Sequence, residues 1–180
     1  MDERDSLIEW LNRAVVRTQD TLEPLSDEQL WFRPDPEGND IGVTLWHLGR
    51  WFDVLATRIL ARGDSADERW FREGWATRWS YDPRGLGYLE TGTMSGYSLE
   101  QVKQIPHMTK MDYRSYLDSA AADACKRLGA ITPDQLRSDE RILDRTRHEW
   151  AVLAIEHCFE HLGEIKALIA TQRRLTASSR

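Results

Sequence analysis

Leu7, Leu11, Ala14, Val15, Thr18 and Leu22 recur at intervals of three and four, the period of a helix with one apolar face, and predict a first long helix over 5–22. Pro24 ends it. Ser26 and Gln29 then have capping-box spacing and open a short helical turn, which Pro34, Pro36 and Gly38 break. Asn39 or Asp40 can cap a second long helix over 42–62, with Leu48, Trp51, Phe52, Leu55 and Ile59 as its apolar stripe and Gly63 placed as a C-terminal stop. A third is expected over 111–128, with Tyr113, Leu117, Ala120, Ala121, Ala124 and Leu128 on one face and Gly129 as its stop. Thr132 and Gln135 repeat the earlier capping spacing, with Pro133 in the favoured first helical position. A fourth helix over 147–175 follows, and the polar tail 176–180 is expected to fray.

Four long helices and no strand pattern predict an all-α fold, a four-helix bundle formed by one domain over 1–180. The connection between the second and third helices, about 63–110, is unusually long. It carries Trp70, Phe71, Trp75, Trp79, Tyr81, Tyr88 and Tyr97, an aromatic content that argues against disorder. A helix over 69–79 and another opened by the Ser98 and Gln101 box and closed before Pro106 are expected within it, with the insertion folded over one end of the bundle as an aromatic lid.

The chain has 180 residues, 41% hydrophobic and 30% charged, with a net charge of -6. That balance argues against a phosphate-tracking nucleic-acid binder and favours a small-molecule partner. No apolar run approaches the roughly 20 residues that span a bilayer, and the charged start does not read as a signal peptide, so a cytoplasmic protein is expected. Cys125 and Cys158 alone make no disulfide framework. A symmetric homodimer is compatible with the sequence, which carries no signal for one.

At about 100° per residue, His157 and His161 fall about 40° apart, on the side of the fourth helix that carries Trp150, Leu153, Ala154, Ile165 and Leu168. An i, i+4 histidine pair on a buried face presents two nitrogens to one metal ion. Two neutral imidazoles side by side in an apolar interior would otherwise need partners for four ring nitrogens. His47, beside Trp51 and Val54 in the second helix, supplies a third nitrogen if the second and fourth helices face each other; alone it reads as an ordinary core histidine. His107 and His148 read as surface residues, Cys158 and Cys125 as core, and Glu156 and Glu160 as solvated. Glu164, one turn beyond His161, is the candidate catalytic residue: it can orient a ligand imidazole or act as a general base, and it can equally be a solvent-edge residue.

The stretch Leu25 to Pro34, the run Thr44 to Leu48 containing His47, and the segment Glu156 to Glu164 containing His157 and His161 resemble the DinB-like superfamily of four-helix metalloproteins over nearly the whole chain. The resemblance implies that His47, His157 and His161 are a metal triad with an open position. The segment Tyr97 to Gln101 is similar to the branch that transfers mycothiol or bacillithiol. The chain also resembles the metal-binding half of ergothioneine-type sulfoxide synthases, but has no room for their second domain, and Glu164 lies three residues after His161 where they place an acid at two.

Three neutral nitrogens leave a divalent ion an open position, the arrangement of catalytic sites. Zinc is the first expectation, with nickel or iron suited to the same ligands. A low-molecular-weight thiol cosubstrate would make the protein an S-transferase acting on an electrophilic small molecule, and water would make it a hydrolase with Glu164 as base. The third reading is a non-catalytic metal-binding stress or sensor protein.

Overall fold

The computed structural model describes residues 2–178, and its first helix begins at a cap. The Asp2 carboxylate accepts from the Asp5 N–H at 2.9 Å and Asp2 N–H donates to the Asp5 carboxylate at 3.2 Å, so α1 (Glu3–Leu22) starts two residues before the expected position 5. The three boxes expected from sequence all form: Ser26 with Gln29 opens α2 (Asp27–Leu30), Ser98 with Gln101 opens α6 (Leu99–Lys103), and Thr132 with Gln135 opens α8 (Pro133–Arg137). Asp40, fully buried, caps α3 (Ile41–Val54) by accepting from Val43 N–H at 2.8 Å. The bundle is made by α1, α3, α7 (Lys110–Ala130) and α9 (Arg147–Ser178), with α7 packed on both α1 and α3 and α9 against the same two. The fold is all-α. No helix among the described residues is long and apolar enough to cross a membrane.

Every residue of α3 is buried. On one side this rests on two glycines. A Cβ at Gly42 would lie 2.5 Å from the Tyr113 hydroxyl oxygen and one at Gly49 2.7 Å from the Tyr116 ring, so α3 and α7 approach through small residues facing large ones. On another side lies α9, with Trp150, Ala151, Ala154, Cys158, Leu162, Ile165 and Ile169 buried at helical spacing. The insertion covers the remaining side. Its α4 (Arg69–Arg72) buries Trp70 completely against Trp46 and Tyr116, at ring separations of 5.8 and 5.1 Å, and the Trp70 indole donates to the Tyr81 carbonyl at 3.0 Å.

Several boundaries differ from the sequence expectation. The second helix does not run as one α-helix to 62: after Val54 it widens into a π-helical stretch, Leu55–Leu60, and Arg62, not Gly63, takes the left-handed conformation at its end (φ 62°) while Gly63 N–H bonds the Thr57 carbonyl. Gly129 does not stop α7, because Arg4 Nη1 donates to the Gly129 and Ile131 carbonyls at 3.2 and 3.0 Å and satisfies the helix end without a glycine turn. The expected helix over 69–79 is two single turns, α4 and α5 (Trp75–Arg78), separated by Gly74 at φ +80°. The tail does not fray from 176: α9 continues through Ser178, and 179–180 lie outside the described residues.

Gly49→Ala is expected to destabilise the protein by about 1–2 kcal/mol, reversing the gain of up to about 1 kcal/mol that alanine normally brings to a helix interior. Urea unfolding of the two proteins measures the sign; an unchanged or higher midpoint would show that α3 and α7 can separate without loss.

Candidate metal centre

Polar residues interrupt the buried α3 at every third position, Thr44, His47, Arg50 and Asp53, a ridge that winds round the helix from the α9 side towards α7 and α4. His47 is 2% exposed and sits on the part of that ridge facing α9, where His157 and His161 project one turn apart. The ring nitrogens meet: His157 Nε2 lies 2.7 Å from His47 Nε2 and 3.2 Å from His161 Nε2, and one ring nitrogen from each of the three lies within 4.8 Å of the others. Around a tetrahedral ion with bonds of about 2.0–2.1 Å, ligand nitrogens are roughly 3.3 Å apart, the scale of this cluster.

The far sides of two rings decide what the near sides present. His47 Nδ1 donates to the Thr93 carbonyl, and His161 Nδ1 lies 2.5 Å from Glu164 Oε2. A carbonyl and a carboxylate only accept, so both rings carry their proton on Nδ1 and turn a bare Nε2 lone pair inwards. Protonation of the inner nitrogens is disfavoured as well. His47 is held well below its ordinary pKa, first by burial and then by His157 and His161, and His157 is pushed down to about 4, first by burial and then by His161. Neutral nitrogens whose lone pairs converge are the donor set of a divalent cation, and the residues fit one.

The structure brings His47, His157 and His161 together and puts Glu164 behind His161, at the solvent edge with its side chain 57% exposed. His107 stacks on Trp31 and lies 3.3 Å from Asp40, and His148 lies 3.1 Å from Glu3, both outside the cluster. Cys158 is buried beside Thr18, its thiol raised to about 11 chiefly by burial, which keeps it protonated. Cys125 is half-buried, against Asn12.

The aromatic wall differs from the expected lid. Trp51 and Trp150, 5.5 Å apart, come from α3 and α9, with Trp51 5.6 Å from the His157 ring, whereas Trp70 of the insertion is spent on the core. What the insertion brings to the triad is backbone, the Thr93 carbonyl. Beside Glu164 and Thr44 opens a cavity of about 350 Å³ whose walls include Asn39, Leu168 and Thr171.

Sequence reasoning missed the cluster next to His47. Arg50, Asp53 and Glu68 are fully buried, with Arg50 2.6 Å from Glu68 and 3.3 Å from Asp53, and Arg58 2.5 Å from Glu68. The signal was present as polar residues at every third position of an otherwise apolar helix, the last two of them, Arg50 and Asp53, charged.

A family model described as the DinB superfamily matches residues 11–165. A crystal structure of a conserved protein from Enterococcus faecalis superposes with a TM-score of 0.77 at 19% identity, over 95% of this chain and 97% of that one, a likeness of fold. No curated protein matches the sequence.

Because His157 has a pKa of about 4 when folded and an ordinary value of 6.5, the unfolded chain takes up a proton between those pH values that the folded chain refuses. Metal-free protein is therefore expected to hold the full contribution of this group above pH 6.5 and lose it as the pH falls towards 4. Thermal melts across that range should fall less steeply for His157→Gln than for the parent; parallel curves would show that His157 is not held neutral.

Proposed function

The chain belongs to the DinB superfamily, and on that premise we propose that it is a metal-dependent enzyme that transfers a low-molecular-weight thiol, of the mycothiol or bacillithiol type, to an electrophilic small molecule at His47, His157 and His161. The observation that carries the metal part is the convergence of three Nε2 atoms on rings of which two have their other nitrogen committed to an acceptor. A divalent ion held there, zinc in the first instance, supplies Lewis acidity that lowers the pKa of a thiol presented to its open position.

The chain's own groups divide the remaining work. His47 and His161 are oriented through their Nδ1 protons, and the Trp51 and Trp150 wall limits water around the inner nitrogens. The cavity of about 350 Å³ beside Glu164 and Thr44 lies on the outer side of His161, is lined by none of the three histidines, and has the scale of a small ligand's site. The role of Glu164 favours thiol over water. Hydrolysis needs a base to take the proton of the attacking water, and Glu164 lies behind His161, bonded to its outer nitrogen Nδ1 at 2.5 Å rather than facing the inner Nε2 atoms. A thiol whose pKa has been lowered releases its proton to solvent and needs no such group.

Elemental analysis of purified protein is expected to find one divalent ion per chain. Added zinc should raise the melting temperature, corresponding to about 2.7 kcal/mol at a hundredfold excess over Kd, and His157→Ala should abolish the rise. Zinc-dependent loss of free thiol with an alkylating electrophile, absent in His157→Ala, would support the transferase. Turnover of activated esters without thiol would replace it with a hydrolase, and protein that is metal-free and insensitive to zinc, nickel, iron and manganese would remove the metal reading altogether.

A further inference from the structure

The geometry points to Arg50 as a positioning residue for the triad: its guanidinium holds the backbone at Thr91 and Gly92, so that the next carbonyl, Thr93, fixes His47 as its Nδ1–H tautomer and aims its Nε2 lone pair inwards. All five N–H donors of this buried arginine are matched. Nη2 donates to Glu68 at 2.6 Å and to the Thr91 carbonyl at 3.2 Å, Nε to the Gly92 carbonyl at 3.1 Å, and Nη1 to Asp53 at 3.3 Å and to the Tyr116 hydroxyl at 3.4 Å. Two of the five therefore go to the backbone immediately before Thr93. With His47 included, three successive carbonyls of one loop are taken by two side chains one turn apart on α3.

The loop does not favour this path unaided. Gly87, Leu89, Glu90, Gly92, Met94 and Gly96 all have φ between +52° and +80°, and three of the six are not glycine. A backbone so rich in left-handed residues is imposed by its partners. Arg50 is the fully buried one among the side chains that bind its carbonyls from α3 and the π-helical stretch; Arg58 reaches the Glu90 carbonyl at 3.3 Å from a more exposed position.

The tautomer matters because of what stands opposite. With the proton on Nδ1, His47 presents a lone pair 2.7 Å from His157 Nε2; with the proton on Nε2, it presents a hydrogen there, and the place of a cation is taken. Lysine would preserve the charge opposite Asp53 and Glu68, but a single ammonium has three donors and cannot span two carboxylates and two carbonyls.

The affinity arm of the test rests on the metal reading proposed above; the tautomer arm does not. Long-range ¹H–¹⁵N spectra of metal-free protein near pH 7 should show His47 as one species protonated at Nδ1. Arg50→Lys should shift it towards the Nε2–H form and weaken zinc binding roughly 10–100-fold. Gly92→Ala leaves the ion cluster intact but places a Cβ 2.5 Å from the Pro83 carbonyl oxygen, displacing the same loop, and should do likewise; it decides the matter if Arg50→Lys does not fold. Tyr116→Phe, which removes one acceptor of Arg50 without touching the loop, should leave the tautomer as it is. Wild-type His47 protonated at Nε2, or folded Arg50→Lys and Gly92→Ala proteins that keep the Nδ1–H pattern and wild-type affinity, would overturn the proposal. Tautomer shifts as expected in a protein that takes no metal would leave the positioning role standing and remove the metal reading alone.

Discussion

A guanidinium with no exposure to water sits in the middle of a helix that is buried on every side, and the arrangement of the rest follows from that constraint. Placing an unpaired charge in such an interior costs several kcal/mol, and removing one partner of a buried pair typically costs about 3–5 kcal/mol, from about a fifth upwards of what holds an ordinary domain together. The charge of Arg50 is therefore tolerable only with Asp53 and Glu68 in place, and its remaining donors are taken by Tyr116 and the carbonyls of Thr91 and Gly92. Those partners come from α3 itself, the start of α4, α7 and the distal loop of the insertion. Asp53 extends the bond set by accepting from the Arg69 and Trp70 N–H groups at 2.8 and 2.9 Å, which seats α4. The insertion is thus the missing wall of α3, and the bundle without it would expose a stripe of charge inside its own core.

That dependence explains which parts of the fold were legible in the sequence. α1, α7 and α9 announce themselves by spacing, and the boxes at Ser26, Ser98 and Thr132 place short helices correctly, because both signals are local. Where a distant group takes over a local task, the local signal misleads. Gly129 looks like a stop, but Arg4 reaches across from α1 to take the carbonyls of the α7 end. Gly63 looks like a left-handed cap, but the π-helical widening moves that conformation to Arg62. Gly74 divides the expected 69–79 helix because α4 is tied to Asp53 while α5 packs its Trp75 on Tyr116, two attachments that one straight helix does not serve.

The site divides along the same line. His157 and His161 share a helix face by spacing alone, and no tertiary information is needed to see that they point together. His47 joins them only because α3 and α9 face each other, which the pattern of either helix cannot state. The Thr93 carbonyl was out of reach of sequence reasoning, since a backbone acceptor carries no residue type and its loop is folded by contacts with α3. Arg50 and Asp53 were in plain sight, as charged residues on the ridge that holds His47. Charged residues in so apolar a helix report that something polar covers it, and here that cover is also what orients His47.

The charge balance of the two neighbouring clusters separates their roles. Around Arg50 and Arg58, the carboxylates Asp53 and Glu68 bring the sum to zero, and every donor of Arg50 is satisfied, so that cluster holds elements together and offers nothing to a ligand. Around His47 and His157 there is no charge to cancel: burial keeps both rings neutral, and the nearest carboxylate, Glu164, touches only the outer nitrogen of His161. His47, His157 and His161 would hold a divalent cation without neutralising it, and beside Trp51 and Trp150 its charge would be little screened. An incoming group that can become an anion gains most from such a site. The fold has thus set a closed, self-compensated ion cluster one helical turn from an uncompensated nitrogen cluster, and the first holds the loop whose carbonyl turns the His47 lone pair towards the other two rings.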